Sequence, residues 1–291
     1  MIPQAFEYLK PNNLHDAISM LQEHGEDAKI LAGGHSLIPM MKLRLATPKY
    51  LVDINSITDL EYITETNGFL KIGALTRETA LEHSGLVTSK FPIIHEATKM
   101  IADPQVRNMA TVGGNLAHGD PANDHPAVML ALNATVVING SGGERTVSID
   151  EFFTGFFSTA VKNDEILTEI RVPMPAERNG NAYLKLERKV GDFATAAVGV
   201  NVVLNQDGTC NSVRIGLTNA GITPIRAKKA EQYLAGKHLD QSTLKEAGRL
   251  AAEESDPAED LRGSEEYKRA MFKELTIRAL TKASDRAQGG Q

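Results

Sequence analysis

The chain has one cysteine, Cys210, in 291 residues. That excludes an intrachain disulfide and any iron–sulfur cluster ligated by this chain alone, and it fits a reducing compartment. Tryptophan is absent, and nine Phe and six Tyr are too few for a stacking platform along single-stranded nucleic acid. Positive charge is not in excess. Lys and Arg number 31 against 37 Asp and Glu, a net charge of −6, which argues against a general nucleic-acid binder. No stretch approaches the roughly 20 apolar residues of a membrane-spanning helix. The opening Met-Ile-Pro-Gln-Ala-Phe lacks the basic segment and apolar run of a secretory signal, so none is expected. Neither G-x-G-x-x-G nor G-x-x-x-x-G-K-[ST] occurs, which disfavours a Rossmann dinucleotide site and a nucleotide triphosphatase.

What is present is an ordinary globular composition, 42% hydrophobic and 23% charged, long enough for one to three domains. Two glycine pairs carry the most information. Gly33-Gly34 lies in Ile30-Leu-Ala-Gly-Gly-His-Ser-Leu37, and Gly113-Gly114 lies in Thr111-Val-Gly-Gly-Asn-Leu-Ala-His-Gly-Asp120. Each follows an apolar or β-branched run and leads into small polar residues. With no Cβ in the way, successive backbone N–H groups in such turns form nests for phosphate. Two nests from distant parts of one chain would grip a diphosphate from both sides, which points to a dinucleotide cofactor. Taken singly, each pair is as well read as a plain turn.

Hydrophobic periodicity predicts a helix over residues 14–24, capped by Asn13 or Asn12 and ended by Gly25. Strands are expected at 29–31, 51–54, 70–75, 134–138 and 166–172, and helices at 77–83, 91–101 and 126–132. Pro39 would sit in the first turns of any helix after the first glycine pair. Asp103-Pro104 reads as a turn, and residues 139–143 as a hairpin turn with 145–149 pairing back. The Pro- and Gly-rich stretch 173–180 marks a domain junction. Beyond it, strands at 182–188, 196–204 and 212–218 precede helices at 226–234, 242–254 and 264–287, an α+β pattern. Cys210 falls in a predicted turn, and the tail from Gln288 to Gln291 reads as disordered.

His118, Asp120, Asp124 and His125, broken by Pro121 and Pro126, match no common zinc or calcium spacing. Asp120 and Asp124 either cap turns and the helix at Pro126, or one of them accepts hydrogen bonds from a ribose hydroxyl. No Ser/His/Asp or Cys/His triad assembles. Phe193 is either a core residue or a cover on a planar cofactor, worth about 1 kcal/mol beyond its buried area. Lys185 and Arg188 are either a solvated strand face or positive charge beside a reduced ring.

Ala32-Gly-Gly-His-Ser36, Thr111-Val-Gly-Gly-Asn115 and Gly119-Asp-Pro-Ala-Asn-Asp124 together resemble the FAD-binding medium subunits of molybdenum hydroxylases, the xanthine dehydrogenase family. Within it, the resemblance is strongest to the branch of aerobic molybdenum-containing carbon monoxide dehydrogenases. Arg44-Leu-Ala-Thr-Pro48, Ile101-Ala-Asp-Pro-Gln-Val-Arg107, Arg188-Lys-Val-Gly-Asp-Phe-Ala-Thr-Ala196 and Ile215-Gly-Leu-Thr-Asn219 also fit, so essentially the whole chain is covered.

The resemblance implies an α+β protein. Residues 1–177 would form the PCMH-type FAD-binding fold shared with vanillyl-alcohol oxidase, in subdomains of about 1–57 and 58–177. Residues 178–291 would form a C-terminal domain with an antiparallel sheet and helices. It implies FAD contacts from Leu31, Ala32, Gly33, Gly34, His35, Ser36 and Leu37, and from Thr111, Gly113, Gly114, Asn115 and Asp120. Asp124 would meet the adenosine part, Ile101 and Leu167 would line the slot, and Lys185 would lie near the flavin. Phe193 stands where close relatives commonly carry Tyr, which keeps stacking and loses a hydroxyl.

The implied activity is electron transfer in a complex that oxidises carbon monoxide, or alternatively an aldehyde or N-heterocycle. The molybdenum–pterin cofactor would sit in a large subunit and [2Fe–2S] clusters in a small one. Electrons would pass through the clusters to FAD here and on to a quinone or other external acceptor. A dimer of heterotrimers is implied, cytoplasmic or at the inner face of the membrane. A stand-alone flavin oxidase with FAD linked to His35 is the other reading considered, and two intact glycine loops argue against a cofactor-free adaptor.

Overall fold

Asn13 opens the first helix by accepting a hydrogen bond from the Asp16 amide at 2.9 Å, and Ala17 and Leu21 bury one face of it. A computed structural model describes residues 2–290. Its first unit runs β1 (Glu7–Leu9), α1 (Leu14–His24), β2 (Ala28–Leu31), α2 (Leu37–Lys42) and β3 (Tyr50–Asp53). The strands form a parallel sheet in the order β1-β3-β2. Ala17 and Leu21 meet Val52 and Ile54 in a small core that Leu75 and Ile166 of the next unit complete. α2 tolerates Pro39 because a first-turn N–H has no partner within its helix.

The second unit comprises β4 (Ile63–Thr66), β5 (Phe69–Gly73), α3 (Glu78–Glu82), α4 (Gly85–Lys90), α5 (Pro92–Lys99), α6 (Pro104–Arg107), α7 (Val112–Ala117) and α8 (Asp124–Ala131). It continues through β6 (Thr135–Gly140), β7 (Gly143–Ser148), α9 (Ile149–Phe152), β8 (Phe153–Gly155), β9 (Ser158–Thr159) and β10 (Glu165–Pro173). Five strands form an antiparallel sheet ordered β4-β5-β10-β6-β7. Leu70, Ile72, Val136 and Ile170 of that sheet share a core with Ile93, Ile94, Val128 and Met129 of the helices. Asp103-Pro104 is more than a turn: the Asp103 carboxylate caps α6, and Pro104 is its first residue.

The third unit is an antiparallel sheet of β11 (Asn179–Leu186), β12 (Ala196–Leu204), β13 (Cys210–Thr218) and β14 (Ile225–Arg226), followed by α10 (Lys228–Leu234), α11 (Gln241–Glu254) and α12 (Glu265–Ala287). Its core joins Val198, Val200 and Ile215 of the sheet to Leu244, Phe272 and Leu280 of the helices. α8 is buried along its whole length and packs against β12 and β13. A Cβ at Gly216 of β13 would overlap the Ala127 carbonyl of α8, so this close approach requires glycine.

Cys210 is not in a turn. The turn at Asp207-Gly208 closes so tightly, with Asn205 N–H donating to Thr209 at 2.8 Å, that β13 has resumed by residue 210. Burial there pushes its thiol up to about 11. The tail through Gly290 folds back on α12, the Gly290 amide donating to the Asp285 carbonyl at 2.9 Å, and Gln291 lies outside the described residues. Among the described residues no helix is long and apolar enough to cross a membrane.

Candidate cofactor cleft

A cleft of about 680 Å³ lies where the three units meet. Small-molecule and cofactor sites typically measure ~300–1,000 Å³. Its walls come from residues 28–30 and 32–37 of the first unit, several segments between Ala74 and Leu167 of the second, and Gly191, Asp192 and Phe193 of the third.

The first glycine pair ends β2. Gly34 has φ +77°, a left-handed turn that glycine adopts without steric cost. The turn leaves the amides of Gly34, His35 and Ser36 with no protein acceptor among the described residues. Gly33 lies so close to the Met109–Ala110 backbone that a Cβ would overlap it. The two loops are therefore in contact.

The second pair differs from the expected turn. It occupies the first turn of α7, which Thr111 caps. Its amides already have partners: Gly113 N–H donates to the Ala74 carbonyl at 3.0 Å, and Gly114 N–H donates to Thr111 Oγ1 at 3.2 Å. Free amides are thus found at the first pair and not at the second. Gly113 serves close packing, because a Cβ would stand 2.5 Å from that of Ala74. A Cβ on Gly114 would meet Thr111 Oγ1 at 2.7 Å and otherwise only Ala32, at 4.0 Å, so that position opens toward the first loop. Beside it, Asn115 Oδ1 is buried with no partner among the described residues, an acceptor left for a ligand.

Asp124 stands on the cleft wall with its carboxylate committed from behind. Tyr183 donates to it at 2.5 Å and the Lys185 ammonium at 3.0 Å. Burial pushes the Asp124 carboxyl above the usual carboxylate range, although Lys185 and Tyr183 pull the other way. Burial likewise pushes the Tyr183 hydroxyl well up, with the Asp124 charge adding to it. His118 lines the cleft edge-on to Phe157, and burial lowers its pKa against the pull of Asp120. It is therefore neutral near pH 7. Next to Asp124, His125 Nε2 meets Glu78 at 2.7 Å, with both side chains fully buried. Burial alone would lower the imidazole pKa, but the charge and hydrogen bond of Glu78 outweigh it and hold the pKa up.

Ala32, Gly33, Gly34, His35, Ser36, Leu37, Ile101, Thr111, Gly113, Gly114, Asn115, Asp124, Leu167 and Phe193 all line this cleft. Leu31, Asp120 and Lys185 do not. Leu31 is held in β2 opposite Asp53, and Asp120 turns its carboxylate to the Ala122 amide at 2.9 Å. Lys185 is only 1% exposed and sits behind Asp124, so it is no solvated strand face. Arg188 is half-exposed and pairs with Asp192. Nor does Asp124 cap α8: Asn123 holds the N-cap position and Asp124 follows it. Phe193 is 46% exposed at the cleft edge, which excludes a core role.

Sequence reasoning missed His118, Phe157 and Lys162 as cleft residues. His118 reaches the cleft through α7, its amide donating to the Gly114 carbonyl at 3.1 Å, and that helix was not readable from two glycines. Phe157 had none, because it comes from the tip of a hairpin of two very short strands.

Residues 4–175 match the family model described as the FAD binding domain in molybdopterin dehydrogenase, and residues 181–283 match the CO dehydrogenase flavoprotein C-terminal domain. The carbon monoxide dehydrogenase medium chain of Hydrogenophaga pseudoflava is 46% identical, over 97% of this chain and 98% of that protein. The protein of the same name from Afipia carboxidovorans is 46% identical over 99% of this chain and 100% of its own length. A solved structure, the carbon monoxide dehydrogenase from Hydrogenophaga pseudoflava lacking the Mo-pyranopterin moiety of its molybdenum cofactor, superposes with a TM-score of 0.96. It is 47% identical and covers 98% of this chain and 99% of the matched one.

Proposed function

The chain belongs to the FAD-binding family of molybdopterin dehydrogenases, with a carbon monoxide dehydrogenase flavoprotein C-terminal domain, and on that footing we propose that its cleft holds FAD. The observation that carries the reading is the pairing, across one cleft, of amides at Gly34–Ser36 with the Asn115 Oδ1, none of which has a partner among the described residues. An extended cofactor with a diphosphate and polar hydroxyls suits both. The amides of the first loop would hold the diphosphate. Gly114 would leave room for it, and Asn115 and Asp124 would accept from hydroxyls. Ile101 and Leu167 would line the slot, and Phe193 would cover the planar ring.

Bound FAD would supply the electron-accepting chemistry, while the protein supplies binding, orientation and electrostatics. No acid–base set is required of the chain. Lys185 would act from behind, its charge reaching the cleft through the carboxylate of Asp124. Phe193 and Phe157, from different units, would help shield the cleft from water.

Residues 1–177 would be the FAD-binding domain and 178–291 the C-terminal domain. In the complex, electrons would arrive from [2Fe–2S] clusters of a small subunit. The substrate, carbon monoxide, would be oxidised at the molybdenum cofactor of a large subunit. A quinone or other external acceptor would take the electrons away. Full-length similarity to two proteins named carbon monoxide dehydrogenase medium chain supports that substrate. A dimer of heterotrimers at the inner face of the membrane is the proposed assembly. Purification of the native complex tests the reading. FAD, molybdenum and iron should co-purify, with carbon monoxide oxidation and with FAD released into the supernatant on acid precipitation. A complex without flavin would overturn it.

A further inference from the structure

We propose that Arg77 and Asn55 form a brace that fixes the spacing of the two glycine loops and thereby sets how firmly the cleft grips a diphosphate. The inference rests on the FAD reading above. Arg77 directly precedes α3, and its backbone pairs antiparallel with Thr111. Its guanidinium then reaches in two directions. Nη1 donates to the Met109 carbonyl at 2.6 Å, and Nη2 donates to Asn55 Oδ1 at 2.8 Å. Asn55 passes the link on, its Nδ2 donating to the Ala32 carbonyl at 2.7 Å. Asn55 is itself fixed, since Asp53 Oδ1 accepts from its backbone N–H at 2.9 Å and Asp53 Oδ2 accepts from Tyr8 at 2.5 Å. Three hydrogen bonds thus join the residue before Gly33 to a residue two positions before Thr111.

Neither Arg77 nor Asn55 lines the cleft, so both are positioning residues. The residue types are demanded by geometry. A guanidinium fork serves two acceptors in fixed directions, whereas a lysine ammonium is a single point on a flexible stem. An Asn amide accepts from Arg77 and donates to Ala32 at once, and an aspartate in its place has no donor for the carbonyl. Because Gly33 already abuts Met109–Ala110, the brace acts on loops in contact, and a shift of one is carried to the other.

The test uses the full complex carrying Arg77→Ala, Arg77→Lys, Asn55→Asp, and Arg77→Ala combined with Asn55→Asp. Two quantities are read: the FAD dissociation constant, and hydrogen exchange in segments 32–37 and 108–112. Loss of a charge-assisted hydrogen bond at Arg77 should weaken FAD binding about tenfold and speed exchange in both segments together. Arg77→Lys should recover little of that loss. The double variant should be no weaker than the worse single one, because both break the same link. Additive losses, or wild-type FAD affinity with unchanged exchange in Arg77→Ala and in the isosteric Asn55→Asp, would overturn the brace. Exchange is read with or without cofactor. A wild-type complex lacking FAD would therefore refute the cofactor reading, while the exchange data decide the brace.

Discussion

The two glycine pairs look alike in sequence and differ in what they give the cleft. Gly33-Gly34 follows a strand in a left-handed turn and leaves amides without an acceptor among the described residues. Gly113-Gly114 opens a capped helix, spends its amides on Ala74 and Thr111, and contributes absence of side chain instead. One pair offers donors and the other offers room. The same dipeptide thus carries two physical meanings, and only the neighbours decide which applies.

Breaking the second pair should have the larger effect. Gly113→Val forces a side chain into Ala74 and should cost about 3 kcal/mol of stability, at the upper end for overpacking, with loss of bound FAD. A fall in the thermal midpoint of the complex checks this. Gly34→Val should cost less, about 1–2 kcal/mol for a branched residue at φ +77°, while its FAD affinity falls because the amides turn away. Thr111→Ala separates donors from room. It removes the cap and frees the Gly114 amide, so stability should drop by about 1 kcal/mol with less effect on FAD affinity than Gly34→Val. Equal losses of affinity in these two variants would erase the proposed division of labour.

A smaller effect concerns pH. The His125 pKa is held above its ordinary value of about 6.5 by Glu78. Its contribution to stability is therefore complete below that ordinary value and is lost as pH rises through the raised one. The thermal midpoint should decline over that window, and Glu78→Gln should flatten the decline. An unchanged slope in Glu78→Gln would show that the buried pair does not titrate on unfolding.

Much of the fold was legible where local rules agree. The Asn13 cap, the apolar spacing of α1 and the alternation of Leu70, Lys71 and Ile72 in β5 all follow from the residues themselves. α7 was not legible, since two glycines are poor helix formers and a turn is the better local reading. Packing of Gly113 on Ala74, together with the Thr111 cap, overrides that preference. For Lys185 a solvated strand face stood open beside a place near a reduced ring, because charged residues are usually exposed. Its burial depends on Asp124, a partner 61 residues away. The brace was invisible for the same reason, because Ala32, Asn55, Arg77 and Met109 are brought together only by the assembled units.

The central claim is that one FAD lies between the two glycine loops and needs the space above Gly114. FAD content of the complex carrying Gly114→Val tests it most directly, with hydrogen exchange in the C-terminal sheet as the control for folding. The expected result is a folded C-terminal domain and no retained FAD. One FAD per chain in that variant, as in the wild type, would contradict the claim.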